Sequence, residues 1–358
     1  MCELDLPLKF AQKLYNEFAI RHPNAFYLRT RQRGMQNWDG KIHYITKTGQ
    51  FKIGLLPKVY DMCIEMGIKP KVVDMRQPLP KVSKVVTKIG KYKLRPEQEK
   101  AVKAVINNTI GGKPFHIGVL DYTVNAGKTL IMSSLYLSYK KQLKTLLITN
   151  DSDWLNQARE EFKQYLPGED ITFVQGKVLN WSNFTIGMVQ SISRNMRFYQ
   201  KELSQIDMVL IDEADQGGSR QYQNVITRLF NTRIRIGLSG TIYMSKLAKD
   251  KVKNMNLECF FGKVLAEFKL RDSIKKGYST KTVVKMVPGK PWYGNWESDC
   301  ISYKEIYDDS ITNSYTAWLM AYSRLRWNIN QGRYPALVVC KHIAHCENLY
   351  KFFKKKLG

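Results

Sequence analysis

Cysteine is scarce and scattered in this 358-residue chain: Cys2, Cys63, Cys259, Cys300, Cys340 and Cys346, with no CxxC pair. That excludes a disulfide-stapled secreted scaffold and suits free thiols in a reducing compartment. No apolar run approaches the ~18 residues of a membrane span. The opening MCELDLPLKF lacks the basic segment and apolar core of a secretory leader. The expectation is therefore a cytoplasmic protein with no membrane partner. Negative charge is the scarcest commodity: 31 Asp and Glu stand against 57 Lys and Arg, a net charge of +26. Such an excess favours polyanionic partners, nucleic acid first, although a solvated basic surface or a place beside a ribosome or membrane gives the same sum.

What is present is ordinary in bulk, 44% hydrophobic and 25% charged, and long enough for two or more domains. Residues 1–88 read as a small α+β domain. LKFAQKLYNEFAI has helical spacing at Leu8, Ala11, Leu14 and Phe18; WDGKIHYITKTGQFKIGLLP reads as a hairpin turning at Asp39-Gly40, with strands at Ile42, Tyr44 and Phe51 and punctuation at Gly49. KVYDMCIEMGI is a second helix, and KPKVVDMRQPLPKVSKVV a Pro- and Lys-rich linker or irregular strand. From residue 89 to 272 apolar strands alternate with amphipathic helices: FHIGVLD, TLLIT, FTIGMVQ, DMVLIDEAD and IRIGLSGT are buried strands, and SDWLNQAREEFKQYL is a helix capped by Ser152 or Asp153. This rhythm specifies an α/β fold, a parallel sheet flanked by helices, with ligands at the C-terminal ends of its strands. Residues 273–330 read as a connector, in part strand-bearing and in part helical. Residues 331–358 read as one more strand, ALVV, entering a helix. Within that last stretch CKHIAHC crowds two Cys and two His, but ligands so close together rarely complete one tetrahedral zinc site.

Four motifs carry chemistry. In DYTVNAGKTL, Gly127, Lys128 and Thr129 follow an apolar strand and open a helix, the context of a phosphate loop. Backbone N–H groups and the helix N-terminus would hold an anion; Lys128 would reach the β- and γ-phosphates and the Thr129 hydroxyl would bind Mg²⁺. The pattern G-x-x-x-x-G-K-[ST] wants glycine where Tyr122 stands, so the turn there must differ. A helix start with a solvated lysine is the plainer alternative. In VLIDEAD, Asp212 and Glu213 end a buried strand, a costly place for carboxylates without a task. Asp212 would hold Mg²⁺ and Glu213 would orient and deprotonate a water; capping carboxylates are the alternative. In GLSGT, Ser239 and Thr241 could sense the γ-phosphate, though such residues are also ordinary turn formers. In KLRPEQEKAV, Gln98 could read an adenine edge and Tyr92 or Arg95 could stack on the base, whereas Pro96 also suits a plain helix start.

LRPEQ, NAGKT, DEAD and GLSGT occur here in the order and rough spacing of superfamily 2 helicases of the DEAD/DEAH type, which most of the chain resembles. NWDGKIHYITKTGQFKIGLLP resembles the leading domain of UvsW-type DNA helicases of T-even phages. The resemblance implies two RecA-like lobes, ATP and Mg²⁺ as cofactors, and a nucleic-acid track. The implied substrate is duplex or branched DNA rather than RNA, and the implied setting is a host cytoplasm if the chain is phage-encoded. Carried over by position, the nucleotide-binding set is Arg95, Gln98, Val124, Asn125, Ala126, Gly127, Lys128, Thr129 and Leu130. The catalytic set is Lys128, Asp212 and Glu213, with Thr129 and Asp212 on the metal and Ser239 and Thr241 coupling. NDSDWLNQ stands where the family grips the DNA backbone but lacks its Pro-Thr; Ser152 is the candidate there, and VQSISR adds Gln190 and Ser191.

ALVVCKHIAHCENLYKFF resembles the first strand and helix of the second lobe, and the family's later motifs, arginine fingers included, do not follow it. One strand and one helix make no sheet, so an incomplete second lobe is expected. A fragment, a split gene with the lobe on a second chain, or a degenerate clamp would each account for it. The expected function is an ATP-dependent DNA helicase or translocase of replication, recombination or repair. The alternatives are an ATP-binding DNA clamp with little turnover and an RNA helicase; a P-loop kinase explains neither the DEAD and GLSGT strands nor the charge. If DNA is held mainly through phosphates, binding measured against salt falls with a log–log slope of about −0.9 per duplex contact; a flat response refutes that mode.

Overall fold

A strand buried on both faces reads as an unbroken apolar run, and each such run here becomes a strand of one sheet. In the computed structural model these are β1 (His116–Tyr122), β2 (Thr145–Thr149), β3 (Ile171–Gln175), β4 (Val178–Leu179), β5 (Phe184–Met188), β6 (Met208–Asp212), β7 (Ile234–Ser239) and β8 (Val264–Phe268). Residues 2–5, 7–31, 34–139, 142–176, 178–242, 248–281, 302–333 and 337–357 are described. Residues 1–281 form one unit and residues 282–358 a second.

The sheet order is β4-β3-β5-β2-β6-β7-β1-β8. Seven strands are parallel; β4 pairs antiparallel with β3. This is the helix-flanked parallel sheet that the alternation of strands and helices predicts, and it fits the RecA-like lobe that the family resemblance implies. The registers matter for chemistry: Asp212 pairs with Leu238 and Ser239 with Asp121, so β6, β7 and β1 end side by side. Successive side chains point to opposite faces, and the core divides accordingly. Leu120, Leu147, Leu210 and Ile236 pack under the helices Pro96–Ile106, Lys128–Ser138 and Ser152–Tyr165. Val119, Ile148, Val209 and Ile211 pack on the opposite face with Val225, Leu257 and Phe261.

That second face also receives the N-terminal elements. Leu14, Phe18, Ile45, Phe51, Leu55, Val59 and Cys63 belong to the same buried cluster as the strands. The helices Leu8–Glu17 and Leu56–Glu65 form where the spacing predicts them, although the first ends one residue before Phe18. The expected hairpin does not form as read. Lys41–His43 pairs antiparallel with Ala19–Arg21, while Asp39 accepts the Lys41 N–H at 2.9 Å in a local turn that precedes the strand. The tight turn is instead at Thr46–Gln50, where Gly49 is left-handed and Ile45 bridges Phe51. Period-2 patterning finds strands; it does not say which partner each will take. The Pro- and Lys-rich stretch after residue 68 has no regular structure yet is pinned. Val86 donates its N–H to Ser138 Oγ and accepts Ser134 Oγ–H, and Arg233 donates to the carbonyl of Arg76 at 2.9 Å.

In the second unit, Tyr315, Trp318 and Tyr322 of the helix Tyr315–Asn330 pack on Phe352 of the helix Ile343–Leu357. Leu337–Cys340, part of the expected strand, is irregular, with Leu337 and Val339 exposed; among the described residues it has no strand partner, and a strand exists only with a neighbour to bond. Of the expected strand-bearing connector, Ser273–Lys275 closes a short helix, and residues 282–301 lie outside the described residues.

Gly54 marks the closest approach of the N-terminal elements to the lobe. A Cβ there would stand 2.0 Å from the carbonyl oxygen of Glu258 and 2.6 Å from that of Cys259. Neither is a flexible side chain. Gly54→Ala is expected to destabilise the protein by about 1–3 kcal/mol, lowering the melting temperature by at least ~2 °C in calorimetry. An unchanged transition would mean that this contact is not made.

Candidate active site

The phosphate-loop question turns on Tyr122. It is the last residue of β1, fully buried, with its hydroxyl donating to the Glu97 carbonyl at 2.6 Å. The loop is therefore Thr123–Gly127, and the position that commonly carries glycine belongs here to the sheet. The turn is made further on. Asn125 and Gly127 both have positive φ, 63° and 74°, and Ala126 N–H donates to Thr123 O at 3.3 Å. Alternating left-handed residues just before a helix turn successive N–H groups inward, the concavity that binds anions. The helix Lys128–Ser138 then starts with its first N–H groups free of intrahelical partners. Gly127 is also sterically required: a Cβ would stand 2.3 Å from Gln98 Nε2.

Gln98 explains how the loop is held. It is buried; its Nε2 donates to Ala126 O at 2.9 Å and its Oε1 accepts Arg95 N–H at 2.8 Å, closing the cap of the helix Pro96–Ile106. Arg95 donates to Asn125 O at 3.2 Å and stacks over Tyr278, 4.3 Å from the ring centre. The structure thus brings Arg95 and Gln98 to the loop; Tyr92 packs edge-on against Tyr165 instead.

Lys128 reaches across the ends of the strands. Its Nζ lies 3.2 Å from Asp212 Oδ1 and 3.1 Å from Glu213 Oε1. Asp212 is buried. Burial disfavours the lysine charge, but the two carboxylates outweigh it and hold the ammonium above its ordinary 10.5. Burial pushes the Asp212 carboxyl up, with Lys128 opposing. Opposite charges at ~4 Å attract by about 4 kcal/mol at an effective dielectric near 20, of the same order as the penalty for burying each ion. The cluster is near balance. Glu213 sits just past the strand in the left-handed region, φ 50° and ψ 51°; for a non-glycine residue that stores about 1–3 kcal/mol of strain, a mark of functional sites.

Beyond its ion pair with Lys128, Asp212 Oδ1 has no hydrogen-bond partner. That buried carboxylate oxygen, with the Thr129 hydroxyl next to Lys128 on the opening turn, is the oxygen donor set that suits Mg²⁺, an ion held by one or two carboxylates with phosphates and water completing it. Among the described residues no cluster of three or more His, Cys, Asp or Glu could hold a metal, the CKHIAHC segment included.

Ser239 is fully buried at the end of β7 and donates to Asp215 Oδ1 at 3.1 Å; Thr241 N–H donates to Ser239 Oγ at 3.2 Å. Gly240 lies against the loop, where a Cβ would meet Thr123 Cα at 3.1 Å. GLSGT thereby touches both the DEAD turn and the phosphate loop. The remaining candidates lie along the same edge of the sheet, past β2 and β5. The cap of the helix Ser152–Tyr165 is Asp151, which accepts the N–H groups of Asp153 and Trp154. This corrects the expected cap at Ser152 or Asp153: Asp151 has the extended backbone a cap needs, and Ser152 is already helical and exposed. Gln190 donates to Asn150 O at 3.2 Å, and buried Ser191 accepts Gly176 N–H at 3.0 Å. Sequence reasoning missed the charges behind the loop, Lys276 on Glu97 at 2.8 Å and Lys269 on Asp121. Their partners are over 140 residues apart in the chain, so no local spacing signals them.

Residues 91–244 match the family described as ResIII, Type III restriction enzyme, res subunit. The fold is similar to a solved structure of the UvsW helicase from bacteriophage T4, at 20% identity and a TM-score of 0.57, covering 75% of this chain and 95% of that one. A second T4 UvsW crystal structure aligns at 19% identity and a TM-score of 0.56, covering 99% of this chain and 70% of that one. No curated protein matches.

Gln98→Leu removes the amide's tie to the loop at Ala126 and its tie to the Arg95 cap, and leaves buried polar groups unpaired, which costs about 1–3 kcal/mol. The expected result is a lower melting temperature together with weaker binding of a fluorescent ATP analogue. Unaltered nucleotide affinity in a folded variant would show that Gln98 does not position the loop.

Proposed function

From a chain whose residues 91–244 form a superfamily 2 helicase-type lobe on a UvsW-like fold, we propose an ATP-dependent DNA helicase or translocase acting on duplex or branched DNA. The observation that carries this reading is the Lys128 ammonium held between Asp212 and Glu213, above a left-handed loop at a helix start. Mg²⁺, held by Thr129 and Asp212, would neutralise charge on the phosphates. The residues of the chain do the rest. Loop N–H groups bind the phosphates, and Lys128 leaves the carboxylates for the nucleotide. That frees Glu213 to orient a water and take its proton. Its fixed left-handed backbone removes the need to reorganise at that moment. Ser239, bonded to Asp215 and followed by Gly240 on the loop, passes the state of the phosphates to β7.

DNA as partner rests on the net charge of +26, on the exposed Ser152, and on the likeness to a protein described as a UvsW helicase. With DNA as partner, the reading extends to replication, recombination or repair, and to a host cytoplasm if the chain is phage-encoded. A DNA clamp that binds ATP with little turnover is the second reading. A clamp has no use for a strained, water-activating Glu213.

Hydrolysis of ATP should be measured with and without forked DNA. The expected result is DNA-stimulated turnover that Lys128→Ala abolishes together with nucleotide binding. Glu213→Gln should keep nucleotide affinity and lose about 10²–10⁴-fold in kcat. Nucleotide and DNA bound without turnover would favour the clamp; stimulation by RNA equal to that by DNA would overturn the choice of DNA.

A further inference from the structure

A cavity of ≈ 710 Å³ lies within the first unit, between the N-terminal elements and the sheet, and it is unrelated to the nucleotide loop. Its position follows from Arg235, the second residue of β7, which pairs with Ile117 near the start of β1. Ser239 lies four residues further along β7, about 13 Å at the rise of a strand, so the cavity opens at the opposite end of the sheet from the candidate active site. Phe51, Tyr60, Phe115 and Phe230 give it an apolar, aromatic wall. Its volume is that of a small-molecule site, and an apolar enclosure with a few fixed polar groups is the usual composition of one.

The charges in it do not balance. Arg235, Arg76, Lys52, Lys71 and Lys113 line the cavity against Asp74 and Glu3. Asp74 is already committed, 2.7 Å from Arg76 Nη2 and 3.3 Å from Arg233 Nε. Arg76 is further tied to the Thr232 carbonyl. Lys52 lies over the Phe260 ring at 3.9 Å. Arg235 is 7% exposed; one Nη donates to the Phe260 carbonyl at 3.3 Å, and its Nε is buried with no hydrogen-bond partner. Burial, with Arg76 adding to it, lowers the guanidinium to about 10, so Arg235 is still charged at neutral pH. A buried, unpaired, half-satisfied cation is among the most expensive features a fold can keep.

We propose that this cavity binds a small organic anion, a flat apolar body carrying one carboxylate, with the acid paired to the Arg235 guanidinium. A guanidinium fork matches two carboxylate oxygens, and the aromatic wall takes the body. The ligand would bridge the segment Val72–Arg76 to the lobe, since both line the cavity. The site is separate from the nucleotide reading and stands or falls without it.

The probe is 1-naphthoate, compared with its neutral amide and with inorganic phosphate by calorimetric titration of the full chain. The acid is expected to bind at least tenfold tighter than either, the range of a charge-assisted hydrogen bond. Arg235→Met, which keeps the volume and removes the charge, should retain the fold by circular dichroism and erase the preference for acid over amide. Val72→Trp, on the half-exposed wall, should weaken acid and amide alike by tenfold or more. Equal binding of acid and amide to the unmodified protein would overturn the proposal. So would phosphate binding as tightly as the naphthoate, or Arg235→Met keeping the preference.

Discussion

The contact of Lys128 with Asp212 and Glu213 is the constraint on which the site depends. Two carboxylates at the end of β6 each lie within 3.2 Å of the lysine that opens a helix, and each charge is affordable only because the others are there. The sheet makes this possible. β6 and β1 are separated by β7 alone, and strands stand ~4.8 Å apart, so a lysine side chain can span the gap. A strand order that set β6 further from β1 would leave Asp212 buried beyond the reach of this lysine.

Two further features serve that geometry. The loop is fixed from behind by Gln98, whose amide is spent on Ala126 O and Arg95 N–H. The DEAD turn is fixed from the side by Ser239 and by Gly237, where a Cβ would meet Ala214 Cβ at 2.7 Å. Neither bond contacts a phosphate directly. Both hold backbone whose positive φ angles, at Asn125, Gly127 and Glu213, would otherwise relax. Rigid backbone is what an anion cradle needs, because its donors cannot rearrange without loss of affinity.

The sheet, and the meeting of Lys128 with Asp212 and Glu213 at its edge, were legible because their signals are local. An apolar run of five to seven residues that ends in Gly-Lys-Thr or Asp-Glu states both its burial and its chemistry. What was illegible was pairing at a distance. Nothing in WDGKIHY says that Lys41–His43 will pair with Ala19–Arg21 rather than fold back on its own continuation. Nothing near Tyr122 announces the Glu97 carbonyl that its hydroxyl needs. The helix cap was misplaced by one residue for a different reason: Asp151, Ser152 and Asp153 are all competent caps by type, and only backbone conformation selects among them. Gln98 read as a base-reading residue by type, and the structure adds that its amide is already tied into the loop.

β7 connects the two sites. Its last residue, Ser239, touches the DEAD turn, and its second, Arg235, lines the cavity. Every residue between them is fully buried, and β6 and β1 bond the strand on both sides. A strand so confined does not flex in the middle; it moves as a body or not at all. An anion paired with Arg235 would relieve a buried, partly satisfied charge carried by β7. Under the proposed function, a nucleotide at the far end would act on the same strand through Ser239. If the two ligands favour different placements of β7 they are coupled, and linkage requires the effect to be the same size in both directions. If they favour the same placement, each tightens the other. A cavity at the quiet end of the sheet is therefore a place from which the active end can be biased without touching the nucleotide.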